Sequence, residues 1–127
     1  MDINMLSPLT FSFVGDVYFS LLVRTKLAEV NRPVSQLHSA SVKLVNAKAQ
    51  AEAFKMIEKD LTEKEMSIYK RGRNAKVGSV PKNATSSDYH SATGLEALFG
   101  YLHLSGENKR AEELFSKLWD SFQDILV

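Results

Sequence analysis

Two acidic residues stand out by their surroundings. Asp16 is the only acid in the apolar stretch from Phe11 to Arg24, and Glu96 is the only acid between Thr93 and Leu104. A lone carboxylate in such a segment must stay neutral, find a partner or bind a cation, because an unpaired buried charge is very costly. Each alone has a plain reading, a buried acid satisfied by an arginine or a backbone donor. Together they suggest more, since Gly15 adjoins Asp16 and Gly94 and Gly100 flank Glu96. The pair is expected to meet across two packed helices and to share a divalent metal. Hard cations such as magnesium take oxygen ligands, and one or two carboxylates suffice when waters and phosphates complete the shell.

A second constellation is cationic. Lys70, Arg71, Arg73, Lys76 and Lys82 fall between Met66 and Ser87, a segment without a single acid. The plain reading is a solvated charged face. The absence of compensating acids favours contacts to phosphates, which dominate nucleic-acid affinity without reading sequence. Tyr69 and Tyr89 are the only aromatics in or beside the segment. That is too few for a platform that stacks single-stranded bases, so a duplex backbone is the better ligand. His38, His90 and His103 are too scattered for a metal motif. His38 reads as a helix-surface residue, His103 as a partner for a helix C-terminus, and His90 as a neighbour of the Glu96 site. Walker loops, dinucleotide fingerprints and Gly-x-Ser-x-Gly elbows are absent.

The elements that would carry these residues are helical. Ser7-Pro8 reads as an N-cap with proline at the first helical position, opening a helix to about Ala28. It is apolar nearly all round, the mark of a central, buried helix. Gly15 is costly in a helix interior, which implies a close neighbour beside Asp16. Asn31-Arg-Pro33 interrupts the chain, and Ser35 caps the next helix. Leu37, Ala40, Leu44, Ala47, Ala51 and Phe54 trace one face of a single long helix to about Glu58, with Lys43, Asn46, Lys48, Gln50 and Lys55 on the other. Thr62 and Glu65 form a capping box for a helix ending near Gly72. Gly78 and Pro81 make the rest of the basic segment a loop. A helix starting at Ser86 or Ser87 carries Glu96 and ends near Ser105-Gly106. The last helix buries Ala111, Leu114, Phe115, Leu118, Phe122 and Ile125, and Trp119 is core or interface. The class is all-α.

With 127 residues and 44% apolar content, the chain fits one ordinary globular domain. Its net charge of +1 says little about partners, and with no cysteine it has neither disulfides nor thiolate metal sites. No secretory leader opens the sequence, and the apolar run from Val17 to Val23 is too short to span a bilayer. The expectation is a soluble cytoplasmic protein without a membrane role.

Several of these stretches resemble the ribonuclease III catalytic domain. Phe13-Val-Gly-Asp-Val17 is similar to its signature helix, Leu44-Val-Asn-Ala-Lys48 to its second conserved helix, and Leu95-Glu-Ala-Leu-Phe-Gly100 to its Glu-Ala-Leu-x-Gly helix. The short Mini-ribonuclease III subfamily is the closer likeness, through Lys70-Arg-Gly-Arg-Asn-Ala-Lys76, Pro81-Lys-Asn83, Tyr89 and Thr93-Gly-Leu-Glu-Ala97. The likeness runs from about Leu9 to Leu118, and residues 1–127 are read as one such catalytic domain.

The resemblance implies an all-helical homodimer that cuts double-stranded RNA with magnesium, manganese being able to substitute. It implies hydrolysis to a 5′-phosphate and a 3′-hydroxyl, and trimming of paired stems of the large-subunit ribosomal RNA precursor. Some relatives work with a ribosomal-protein helper. Asp16 and Glu96 are the implied catalytic metal ligands. Lys70, Arg71, Arg73, Lys76 and Lys82 would grip phosphates, with Asn74 in the minor groove. The separate double-stranded RNA-binding domain of the larger enzymes is not expected here. Those enzymes also carry acids at the places of Leu9, Ser12 and Thr93, so only two members of the carboxylate set carry over, and metal binding is expected to be weaker. Two rivals are a non-catalytic RNA-binding or ribosome-assembly protein and a purely structural helical dimer. The first would keep the basic loop and lose the acids; the second would need neither.

Overall fold

The computed structural model describes residues 1–76 and 78–126, which form six α-helices and, among the described residues, no strand. They are α1 (Pro8–Ala28), α2 (Val34–Leu44), α3 (Ala47–Ile57), α4 (Glu63–Asn74), α5 (Ser86–Leu104) and α6 (Asn108–Leu126). Among the described residues no helix is long and apolar enough to cross a membrane.

The organising helix is α5. It packs against α1, α3, α4 and α6 and buries residues 92–95, 97–100 and Leu102. The expectation of an α1 buried all round fails for the single chain. Phe11, Gly15, Phe19, Val23 and Leu27 are buried, while Phe13, Val17 and Leu21 remain 78%, 70% and 57% exposed. The close neighbour expected beside Gly15 is present. A Cβ at Gly15 would collide with the Glu96 carbonyl oxygen, and one at Gly100 with that of Phe11. The α1 and α5 backbones therefore touch, and that contact sets Asp16 beside Glu96. Phe19 fills the centre of the core, edge-on to Phe99, Phe115 and Phe122.

The helix expected from Ser35 to Glu58 is two helices. Val45 (φ −99°, ψ 72°) leaves the helical region. Asn46 then caps α3 by accepting from the Ala49 N–H at 2.9 Å, and its amide donates to the α2 carbonyls of Val42 and Lys43. One asparagine thus satisfies orphan groups of both helix ends. Pro33, not Ser35, occupies the cap position of α2.

The capping box at Thr62 and Glu65 forms as expected, with bonds of 2.9 and 3.1 Å. Arg110 of α6 grips the Glu65 carboxylate through two bonds of 2.8 and 2.9 Å and reaches the Asp60 carbonyl. Burial pushes the Glu65 carboxyl up, but hydrogen bonds from Arg110 and Thr62 outweigh it and hold it below its usual range. α4 ends near Gly72, at Asn74. Gly72 itself is where α4 lies on α5, since a Cβ there would fall 2.6 Å from that of Ala97. Ile3–Met5 forms a single 3-10 turn, and Ile3 and Leu6 pack near Phe11, Ile68 and Ala97. Thr85 caps α5, Ser105 and Gly106 (φ +77°) close it, and Ile125 is partly exposed rather than core.

Candidate functional site

Asp16 projects from the exposed flank of α1, and Glu96 is half-buried on α5. The Asp16 carboxylate lies within hydrogen-bonding reach of Glu96. Burial first, then the charge of Asp16 and the bond to it, push the Glu96 carboxyl up to about 8. Gln50 opposes this, donating from Nε2 to Glu96 Oε2 at 3.4 Å. At neutral pH Glu96 keeps its proton, or the two carboxyls hold a cation between them. Among the described residues no group of three or more histidines, cysteines or acids could hold a metal. Two acids are therefore the charged donor set among the described residues.

Glu96 opens into a cavity of about 640 Å³ between the α1, α3 and α5 surfaces and the loop before α5. Leu9, Ser12 and Thr93 line it, the three places at which the resemblance calls for additional acids. Thr93 donates its hydroxyl to the Tyr89 carbonyl at 2.9 Å. Asn46, Lys48 and Gln50 line the cavity from the start of α3, and Pro81, Asn83 and Tyr89 from the other side.

The basic segment divides. Lys70, Arg71 and Asn74 line a separate shallow depression on α4, sharing no lining residue with the Glu96 cavity. Arg73 lies over the Tyr69 ring at 5.7 Å and donates from Nε to Asn74 Oδ1 at 3.1 Å. Tyr69 is itself fixed by stacking on Phe54 and by a 2.9 Å bond to Ser91. Lys76 and Lys82 are exposed on the loop between α4 and α5, and the neighbours of Lys82 border the cavity. None of the five cations has an acidic partner within 4.0 Å among the described residues. His90 is not among the cavity-lining residues. His103 is exposed, packed on Tyr18 and bonded to Asn108, and His38 is exposed on α2.

Gln50 and Lys48 are the site residues that periodicity missed. Both fall on the solvent side of one continuous helical period, and Lys48 is indeed exposed while lining the cavity. Reading α3 by itself recovers Gln50, because Gln50, Ala53, Phe54 and Ile57 form their own buried stripe.

Known proteins bear on this geometry. Residues 9–107 match the family described as Ribonuclease III domain. The chain is 49% identical over 110 residues to Mini-ribonuclease 3 of Thermoanaerobacter sp. (strain X514), covering 86% of this chain and 78% of that one. It is 46% identical to Mini-ribonuclease 3 of Brevibacillus brevis, covering 89% of this chain and 85% of that one. Mini-ribonuclease 3 of Clostridium tetani is 34% identical, covering 97% and 83% respectively. A Fusobacterium nucleatum protein solved by X-ray crystallography superposes with a TM-score of 0.84 at 29% identity, over 91% of this chain and 95% of that one.

Proposed function

Because the chain belongs to the ribonuclease III domain family, as a Mini-ribonuclease III, we propose that this endoribonuclease cleaves double-stranded RNA with magnesium at Asp16 and Glu96. The observation that carries the reading is the approach of the Asp16 carboxyl to Glu96, which itself lines a cavity bordered by the cationic loop. The donor chemistry fits the ion: two hard oxygen ligands, with room in the cavity for waters and phosphate oxygens. Bound there, magnesium supplies a polarised water and offsets the negative charge that builds on the scissile phosphate.

The chain's own residues do the rest. Glu96 gives up its proton so that both carboxylates can serve as ligands. Arg73, Lys76 and Lys82 hold phosphates, Lys70 and Arg71 extend the grip along α4, and Asn74 hydrogen-bonds in the minor groove. Lys48 supplies a cation on the cavity wall. Duplex RNA is recognised mostly by shape and 2′-hydroxyls, which suits a site with few aromatic platforms. Hydrolysis leaves a 5′-phosphate and a 3′-hydroxyl. The working form is a homodimer joined through the apolar stripe of α1, with one cut per strand. Stems of the large-subunit ribosomal RNA precursor are the substrate, in the cytoplasm, with a ribosomal protein as helper.

The test is cleavage of labelled duplex RNA with and without magnesium. Asp16→Asn and Glu96→Gln should each abolish cutting while duplex affinity stays close to that of the wild type. Cutting that survives in either variant, or in a chelator, removes the metal-site reading.

A further inference from the structure

A buried side chain on α3 bears on the same site. Gln50 is 4% exposed, and the hydrogen bond its side chain makes is the one to Glu96. A buried amide loses its water partners and needs strong replacements. A single bond of 3.4 Å lies beyond the usual range for N–H···O. Neighbouring α3 positions are filled by Ala49, Ala51, Ala53, Phe54 and Ile57, so an apolar side chain would suit this face better for packing alone. The amide instead faces the cavity, with its donor on the carboxylate. Thr93 has turned its hydroxyl to its own helix.

We propose that Gln50 is a positioning residue for the cation site, its buried amide fixing the Glu96 carboxylate in the orientation that accepts a divalent cation. This rests on the proposed metal role of Asp16 and Glu96. Metal-ligating carboxylates are themselves oriented by hydrogen bonds, and loss of such a partner typically weakens metal affinity by about 10–100-fold. Here the partner weighs more, because among the described residues the two acids have no third charged donor beside them.

The experiment titrates manganese into the full-length apoprotein without RNA, reading free Mn²⁺ by electron paramagnetic resonance. Wild type, Glu96→Gln, Gln50→Met and Gln50→Ala are compared, with folding checked by circular dichroism. Methionine keeps the length and removes the donor; alanine cannot overpack, and decides the matter if the methionine variant does not fold. Glu96→Gln should lose binding, and both Gln50 variants should bind about tenfold more weakly. In cleavage assays their half-saturating magnesium concentration should rise by the same factor. The rate should recover as magnesium saturates, and KM for duplex RNA should not move. Manganese binding that disappears in Glu96→Gln but is unchanged in both Gln50 variants overturns the role of Gln50 alone. So does a loss of rate that is the same at every magnesium concentration, which marks a packing defect. A wild type that binds no manganese, or a Glu96→Gln that binds normally, overturns the metal reading and this proposal with it.

Discussion

The Glu96 carboxyl is the most informative single group, because its proton and a cation compete for the same oxygens. Its folded value of about 8 lies above the ordinary 4.5. Between those two values the unfolded chain has released the proton and the folded chain still holds it. The folded state then binds more protons, so stability falls as pH rises through that window and levels off above it. The melting temperature of the apoprotein should therefore decline by several degrees between pH 5 and pH 8, and Glu96→Gln should flatten that part of the profile. An unchanged slope in the variant would assign the decline to other groups. The same competition makes magnesium affinity rise with pH up to about 8 and then plateau, which metal titrations at pH 6, 7, 8 and 9 would resolve. Arg73 makes a separate prediction. Its guanidinium is half-exposed and aimed by Tyr69 and Asn74. Arg73→Ala should weaken duplex binding and lower the salt slope by about one phosphate contact. An unaltered salt dependence would remove Arg73 from the grip.

Helix ends tie the site residues to their supports, and local signals served well where the capping group lies next to the helix it caps. Ser7-Pro8 and the Thr62–Glu65 box were legible because each is completed within four residues. Glycines beside the two acids were legible as close contacts, because a helix tolerates the loss of a side chain only for a reason of that kind. The break at Asn46 was not legible. Apolar residues keep an unbroken helical period across it, and the decisive event is an asparagine bonding both ways, which no periodicity records. Losing the break meant losing Gln50, since the change of helix direction turns it from solvent to the Glu96 carboxylate. The exposure of one α1 face was also hidden, because an apolar stripe reads alike whether its cover is the same chain or another. Arg110 carries no local signal, because its partner lies 45 positions away. It is nonetheless a strong test of how α6 is attached. Arg110→Ala leaves the buried Glu65 carboxylate without its cation, which typically costs about 3–5 kcal/mol. Glu65 titrates below its ordinary range when folded, so its contribution is present above about 4.5 and lost as pH falls. Denaturant melts should show a large loss at pH 7 that shrinks towards pH 3. An equal loss at both pH values would mean that the arginine acts through packing.

The assembled protomer leaves one conspicuous face uncovered. Leu9, Phe13, Val17 and Leu21 recur every four residues along α1 and are 39%, 78%, 70% and 57% exposed. Single exposed apolar residues are ordinary, but an aligned row of four large ones marks an interaction surface. The row lies on the helix that carries Asp16, and Val17 is its immediate chain neighbour. A two-fold partner using the same row would be self-complementary, each α1 meeting its own copy. Fully burying side chains of this size is worth about 1.5–3 kcal/mol apiece, so a row of four on each of two chains can hold a dimer together. Charge should then break what apolar contact makes. Sedimentation equilibrium should give a dimer for the wild type at micromolar concentration and a monomer for Phe13→Glu or Leu21→Glu, both sites being solvent-facing in the single chain and so compatible with its fold. Cleavage should fall with the dimer, because two sites held by one symmetry axis are what allow one cut in each strand of a duplex. Nicking of a single strand by a folded monomeric variant would fit that geometry. A wild type that sediments as a strict monomer would leave the row to another partner, and undivided double-strand cutting by a monomer would detach the reaction from the dimer altogether.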